Sequence, residues 1–148
     1  MKKTLNVCVM LLMLSALLFS CKKKDNEFKK SDELTGSWYE TSRQTYIRRL
    51  NFQPGGKFAM DILGTDSKVQ TTLNGRYVIN GNTLSVTSFE IVETQPSGKV
   101  VTTKMEDKLF DKATFNIKNL VLTIDYVSYP ADAPVPTQAT FNKILAID

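Results

Sequence analysis

Leu120-Val121-Leu122-Thr123-Ile124-Asp125-Tyr126 places large apolar side chains at 120, 122, 124 and 126, with Val121, Thr123 and Asp125 between them. Successive side chains of a β-strand point to opposite faces, so this stretch presents one apolar face and one wetter one. Lys118-Asn119 stands just before it, and asparagine tolerates the positive φ that a tight turn demands. The same repeat of two appears where Phe58, Met60 and Ile62 alternate with Ala59 and Asp61. Pro54-Gly55-Gly56, Asn80-Gly81-Asn82 and Pro96-Ser97-Gly98 punctuate the runs as hairpin turns. From Leu34 onward no window keeps helical spacing, so the expected class is all-β and antiparallel.

Strands are expected near 35–42, 45–53, 57–63, 69–79, 83–93, 99–108, 111–117, 120–129 and 138–145. Eight or nine strands joined by hairpins form an up-and-down meander. In a chain this short, curling the meander into a barrel buries the apolar face and protects the strand edges. Within 83–93 the apolar phase changes from Leu84 and Val86 to Phe89 and Ile91, which implies a bulge near Thr87-Ser88.

The first twenty residues have a different character. Lys2 and Lys3 precede an uncharged run from Val7 to Phe19, which is signal-peptide architecture. As a helix those thirteen residues reach roughly 20 Å, short of a hydrocarbon core of about 30 Å. Leu18-Phe19-Ser20-Cys21 resembles the lipobox of bacterial lipoproteins, with an aliphatic residue three before the cysteine and a small residue directly before it. The resemblance implies cleavage after Ser20, acyl chains on Cys21 (palmitate among them) and a membrane-anchored protein of the bacterial cell envelope. It favours the outer membrane and leaves the periplasmic or surface side open. Cys8 would leave with residues 1–20, so Cys21 would have no cysteine partner in an oxidising compartment.

Residues 21–33 then read as the lipidated cysteine and a charged tether. From Lys22 to Glu33 there is one hydrophobic residue, Phe28, too little to bury for folding. Lys22-Lys23-Lys24 suits an anionic lipid surface, and charged runs at this place also resemble surface-export signals. Leu34 to Asp148 is the length of one domain. Without Lys2 and Lys3 the chain carries 17 basic against 15 acidic side chains, several of the basic ones in the tether. A nearly neutral domain lacks the basic face that nucleic acid requires.

Leu34-Thr35-Gly36-Ser37-Trp38 resembles the Gly-x-Trp opening of lipocalins. Leu50-x-Phe52-x-x-Gly55-Gly56-Lys57-Phe58 and the hairpin from Gly75 to Leu84 are similar to hairpins of bacterial lipocalin-like lipoprotein domains, with an echo from Phe115 to Leu120. The resemblance implies a lipocalin-like barrel over 34–148 and places Trp38 at its closed end.

Three residues are candidate ligand contacts: Arg48, Tyr46 and Trp38. Arg48 shares the period-two face of Tyr46, Leu50 and Phe52, and an arginine facing inward needs a partner. That partner is either a ligand carboxylate or phosphate gripped by two parallel hydrogen bonds, or Glu40 or Glu90 of the protein itself. Trp38 either closes the barrel base or stacks on a flat ligand, as Tyr39, Tyr46, Tyr77, Tyr126 and Tyr129 could.

Catalysis is not expected, and neither is a metal or a cofactor. The chain has no histidine, and its cysteines are Cys8 and Cys21 alone, which excludes histidine triads, a thiol nucleophile in the domain and the usual zinc sites. Glu90/Glu93 and Glu106/Asp107 are sequence neighbours rather than a pair spanning a cleft. Asp61, Asp66 and Asp107 lie in no glycine-pinned calcium loop. Two uses remain: a barrel cavity holding a small apolar, amphipathic or anionic ligand, or a filled barrel presenting loops to an envelope protein. The proline-spaced segment Pro130 to Pro136 fits the second as a stiff loop before the last strand.

Overall fold

The computed structural model describes residues 33–41, 46–64, 68–130 and 133–145. Residues 1–20, Cys21 and all of the tether except Glu33 lie outside them. The strands are β1 (Gly36–Glu40), β2 (Ile47–Gln53), β3 (Lys57–Leu63), β4 (Val69–Asn80), β5 (Thr83–Thr94), β6 (Val100–Lys118), β7 (Val121–Ser128) and β8 (Val135–Lys143). Each pairs antiparallel with the next, and β8 returns to β1 to close the barrel. Among the described residues the strand count is eight, because the stretches expected at 99–108 and 111–117 are one continuous strand. Lys112 takes φ 54° and absorbs the irregularity as a bulge, while Phe110 and Ala113 go on pairing with Val86 and Leu84.

The alternation read in the sequence defines the interior. Leu50 and Phe52 of β2, Phe58 and Met60 of β3, Leu84 and Val86 of β5, Leu122 and Ile124 of β7, and Phe141 of β8 belong to one buried cluster along the barrel axis. The expected bulge in β5 lies one residue further on: Asn74 faces Glu90 and Gly75 faces Ser88, leaving Phe89 as the extra residue. Phe89 therefore turns to solvent, whereas Ser88 is fully buried. Gly75 sits opposite the bulge, where a Cβ would stand 2.2 Å from the Thr87 carbonyl oxygen, so only glycine lets the two backbones approach.

Pro136 and Val135 belong to β8, paired with Val127 and Ser128, so the proline-spaced loop is shorter than expected and ends at residue 134. Proline is tolerated there because, among the described residues, β8 meets β1 at Phe141 to Lys143 and the far edge of its first residues carries no ladder. A similar gap opens on the other side of β7. The β6–β7 ladder runs from Thr114↔Asp125 to Lys118↔Val121, while β6 continues back to Val100. Residues 100–113 thus form a free strand edge on that side among the described residues. Against β5, this part of β6 carries extra residues between Lys104 and Asp107, between Lys108 and Phe110, and between Phe110 and Ala113.

The up-and-down order gathers the β1–β2, β3–β4, β5–β6 and β7–β8 connections at one end, the mouth. The other end is sealed. Leu34 and Trp38 are fully buried there, the Trp38 Nε1–H donates to the Leu34 carbonyl at 2.7 Å, and the Lys143 ammonium lies 5.0 Å from the Trp38 ring centroid.

Candidate functional site

Arg48 faces inward, as its parity with Leu50 and Phe52 implies, and stands just below the mouth. Two inward positions meet it, one on the neighbouring β1 and one on β7, which does not pair with β2. Glu40, two residues after Trp38 on β1, accepts from the Arg48 Nε at 2.9 Å, from Nη2 as the second prong, and from the Arg48 backbone N–H at 3.1 Å. Tyr126, two residues after Ile124 on β7, accepts from Nη1 through its hydroxyl at 3.2 Å. The Phe141 ring lies 5.7 Å from the guanidinium carbon.

The Glu40 side chain is 2% exposed and that of Arg48 17%, so this is a nearly dry, bidentate pair. Hydrogen bonding to Glu40 raises the Arg48 pKa further above its ordinary value, against burial, which pulls it down. Of the two partners open from sequence, Glu40 is the one found. Glu90 instead accepts from the Asn74 amide at 2.9 Å.

Arg48, Glu40 and Tyr126 open onto a cavity of about 230 Å³, whose other walls are Thr41 and Tyr46 and the β8 stretch from Thr137 to Thr140. Its walls carry the Glu40–Arg48 ion pair, several hydroxyls and the Gln138 amide. Tyr46 is half exposed at the rim, so the structure brings Arg48 and Tyr46 together as the sequence suggested. Trp38 is not with them: it lies one layer deeper, fully buried, with its indole N–H held by Leu34. Tyr77 is also a core residue, edge-on to Phe52 at 5.1 Å, and Tyr126 packs edge-on to Phe110 at the same distance.

Exposed apolar side chains stand at the mouth on the β7–β8 side, Val127, Tyr129 and Val135, and the exposed Tyr46 lines the cavity that the β8 stretch from Thr137 to Thr140 also walls. A wider open groove of about 750 Å³ runs between the β3–β4 connection and the β5–β6 turn, along Val69, Thr71, Glu93 and Pro96.

Sequence reasoning missed one polar cluster, on the outer wall. Asp61 is buried yet outward-facing, accepting from Arg49 Nε and Nη2 at 2.9 and 2.8 Å, from Asn51 at 3.0 Å and from the Thr72 hydroxyl at 2.8 Å. Ser37 extends the chain of bonds to β1 through Asn51 at 2.7 Å. The outward parity of Arg49, Asn51 and Asp61 was the available signal. With all these donors converging on one carboxylate, the cluster ties four strands together.

No protein-family model matches the chain, and no curated protein or solved structure gives a significant match to it.

Proposed function

We propose that this chain is a lipid-anchored envelope protein whose filled barrel serves as a non-enzymatic interaction module, presenting its mouth to a protein partner. One observation carries the choice over a ligand-storing barrel. Among the described residues the interior is packed with buried side chains up to the Arg48–Glu40 pair, and the cavity that opens onto that pair, about 230 Å³, is smaller than the roughly 300–1,000 Å³ of typical small-molecule sites and is walled by charged and hydroxyl groups. The arginine that would grip an anion is already held by Glu40 and Tyr126. The apolar rim of Tyr46, Val127, Tyr129 and Val135 has the character of a contact surface: aromatic and aliphatic side chains held at the edge of a rigid scaffold.

The test has two arms. Native mass spectrometry of the protein extracted gently from its own envelope should give the mass of the acylated chain alone. A photo-crosslinking residue at Tyr129 should give a discrete protein adduct in cells, and one at Asn82, at the sealed end, should not give that adduct. A stoichiometric apolar ligand, lost on Arg48→Leu, would return the cavity reading to first place.

A further inference from the structure

At the sealed end the β6–β7 turn departs from the usual turn chemistry. Asn119 and Leu120 form a two-residue loop with φ 52° and 63°. Hairpins favour such left-handed pairs, but the second position normally falls to glycine, because a side chain there is crowded. Leucine occupies it here, 49% exposed and outside the barrel's core cluster. Two more exposed aliphatic residues follow β8: Ile144 at 44% and Leu145 at 60%. The Lys143 backbone N–H donates to the Leu120 carbonyl at 2.9 Å, so the turn and the end of β8 are adjacent. Lys118, the last residue of β6, is exposed beside them.

The chain also arrives at this end. The Lys143 ammonium donates to the Glu33 carbonyl at 3.2 Å, so the segment that precedes Glu33, with Lys22-Lys23-Lys24 and Cys21, departs from close to the patch.

We propose that the sealed end rests on an anionic lipid surface, with Leu120, Ile144 and Leu145 entering the interface and Lys118 meeting headgroup phosphates. This rests on the reading of Cys21 as a membrane anchor. A spacer of twelve residues, about 40 Å when extended, would by itself leave the domain free to tumble. Apolar side chains flanked by positive charge gain free energy at such a surface, and this patch selects one orientation in which the mouth points away from the bilayer. A strained, exposed leucine has a use there that it lacks in water.

The experiment uses the acylated full chain in vesicles of phosphatidylethanolamine and phosphatidylglycerol, with a nitroxide at Leu145→Cys or, at the mouth, Ser97→Cys. The label at 145 should be severalfold more accessible to oxygen than to a water-soluble nickel chelate, and the label at 97 should show the reverse. Adding Leu120→Gly supplies the residue the turn prefers, so the fold is kept, and the oxygen preference at 145 should fall severalfold. A label at 145 as accessible to the chelate as that at 97 would overturn the proposal. If mass spectrometry finds no acyl chain on Cys21, the anchor reading fails separately. The patch is then tested by cosedimentation of the unacylated chain with the same vesicles, which should be weak and lost in Leu120→Gly; sedimentation unchanged by that substitution would overturn it.

Discussion

Replacing Arg48 with methionine should destabilise the barrel far more than a half-exposed arginine at a rim would suggest. The substitution keeps the aliphatic stem but strips Glu40 of its two guanidinium bonds, leaving a carboxylate that is 2% exposed with one backbone N–H. Removing one partner of a buried pair costs about 3–5 kcal/mol, a large share of the roughly 5–15 kcal/mol that keeps a domain folded. With a urea slope of about 1.5 kcal/mol per molar, the unfolding midpoint should drop by roughly 2–3 M. The double variant Arg48→Met/Glu40→Leu should recover to within about 1 kcal/mol of the parent or exceed it, because an apolar layer needs no pairing. Equilibrium urea unfolding followed by Trp38 fluorescence measures all three proteins. A single variant losing less than about 1 kcal/mol, or a double variant no better than the single, would refute the assignment of Glu40 as the partner that makes Arg48 necessary.

Gly75→Ala forces a Cβ to within 2.2 Å of the Thr87 carbonyl and 3.0 Å of the Ser88 Cα, both backbone atoms, so the strands must part. A loss of about 2 kcal/mol or more, seen as a melting temperature lower by roughly 10 °C, is expected. Cys21→Ser should move the protein from the membrane fraction to the soluble fraction, and unchanged fractionation would remove the anchor from the proposed function. Deleting 22–30 should leave the melting temperature of the barrel within a few degrees of the parent by calorimetry; a large drop would mean that the charged stretch packs on the domain.

Parity was the legible part of the fold. Phe58, Met60, Leu122 and Ile124 point inward because a period of two leaves them no alternative once one face is buried, and the same rule set Arg48 inside. What parity cannot carry across is a register change. The apolar phase groups Phe89 with Ile91 on the inward face, yet the bulge gives β5 one residue too many against β4 and ejects Phe89. Likewise the charged stretch Glu106-Asp107-Lys108 invites a break near 109, but pairing with β5 resumes past every irregularity and keeps β6 whole. The partner of Arg48 is open between Glu40 and Glu90 in the sequence because it depends on the β1–β2 register, which past Tyr39↔Arg49 sets Glu40 across from Arg48, and on which side of the β5 bulge Glu90 falls. Both are properties of how two strands pair rather than of any one strand. Trp38 shows the opposite limit: its depth follows from Leu34 folding back over it, a contact that spacing along the strand does not report.

The long β6 edge bears on how the protein behaves in a crowded compartment. A strand with unsatisfied N–H and C=O groups along one side is a template on which other chains can stack, and, among the described residues, those from 100 to 113 have no ladder on the side that faces away from β5, beyond the point where β7 leaves. Lys104, Glu106, Asp107, Lys108, Asp111 and Lys112 crowd this stretch with charges of both signs, and the three bulges interrupt its hydrogen-bonding rhythm so that a straight incoming strand would fall out of step within a few residues. Val100 to Thr103 has neither defence. Sequence changes that remove charge between 104 and 112 should therefore leave the melting temperature nearly unaltered while shortening the time to fibre formation, with the growing assembly nucleating from the Val100 end.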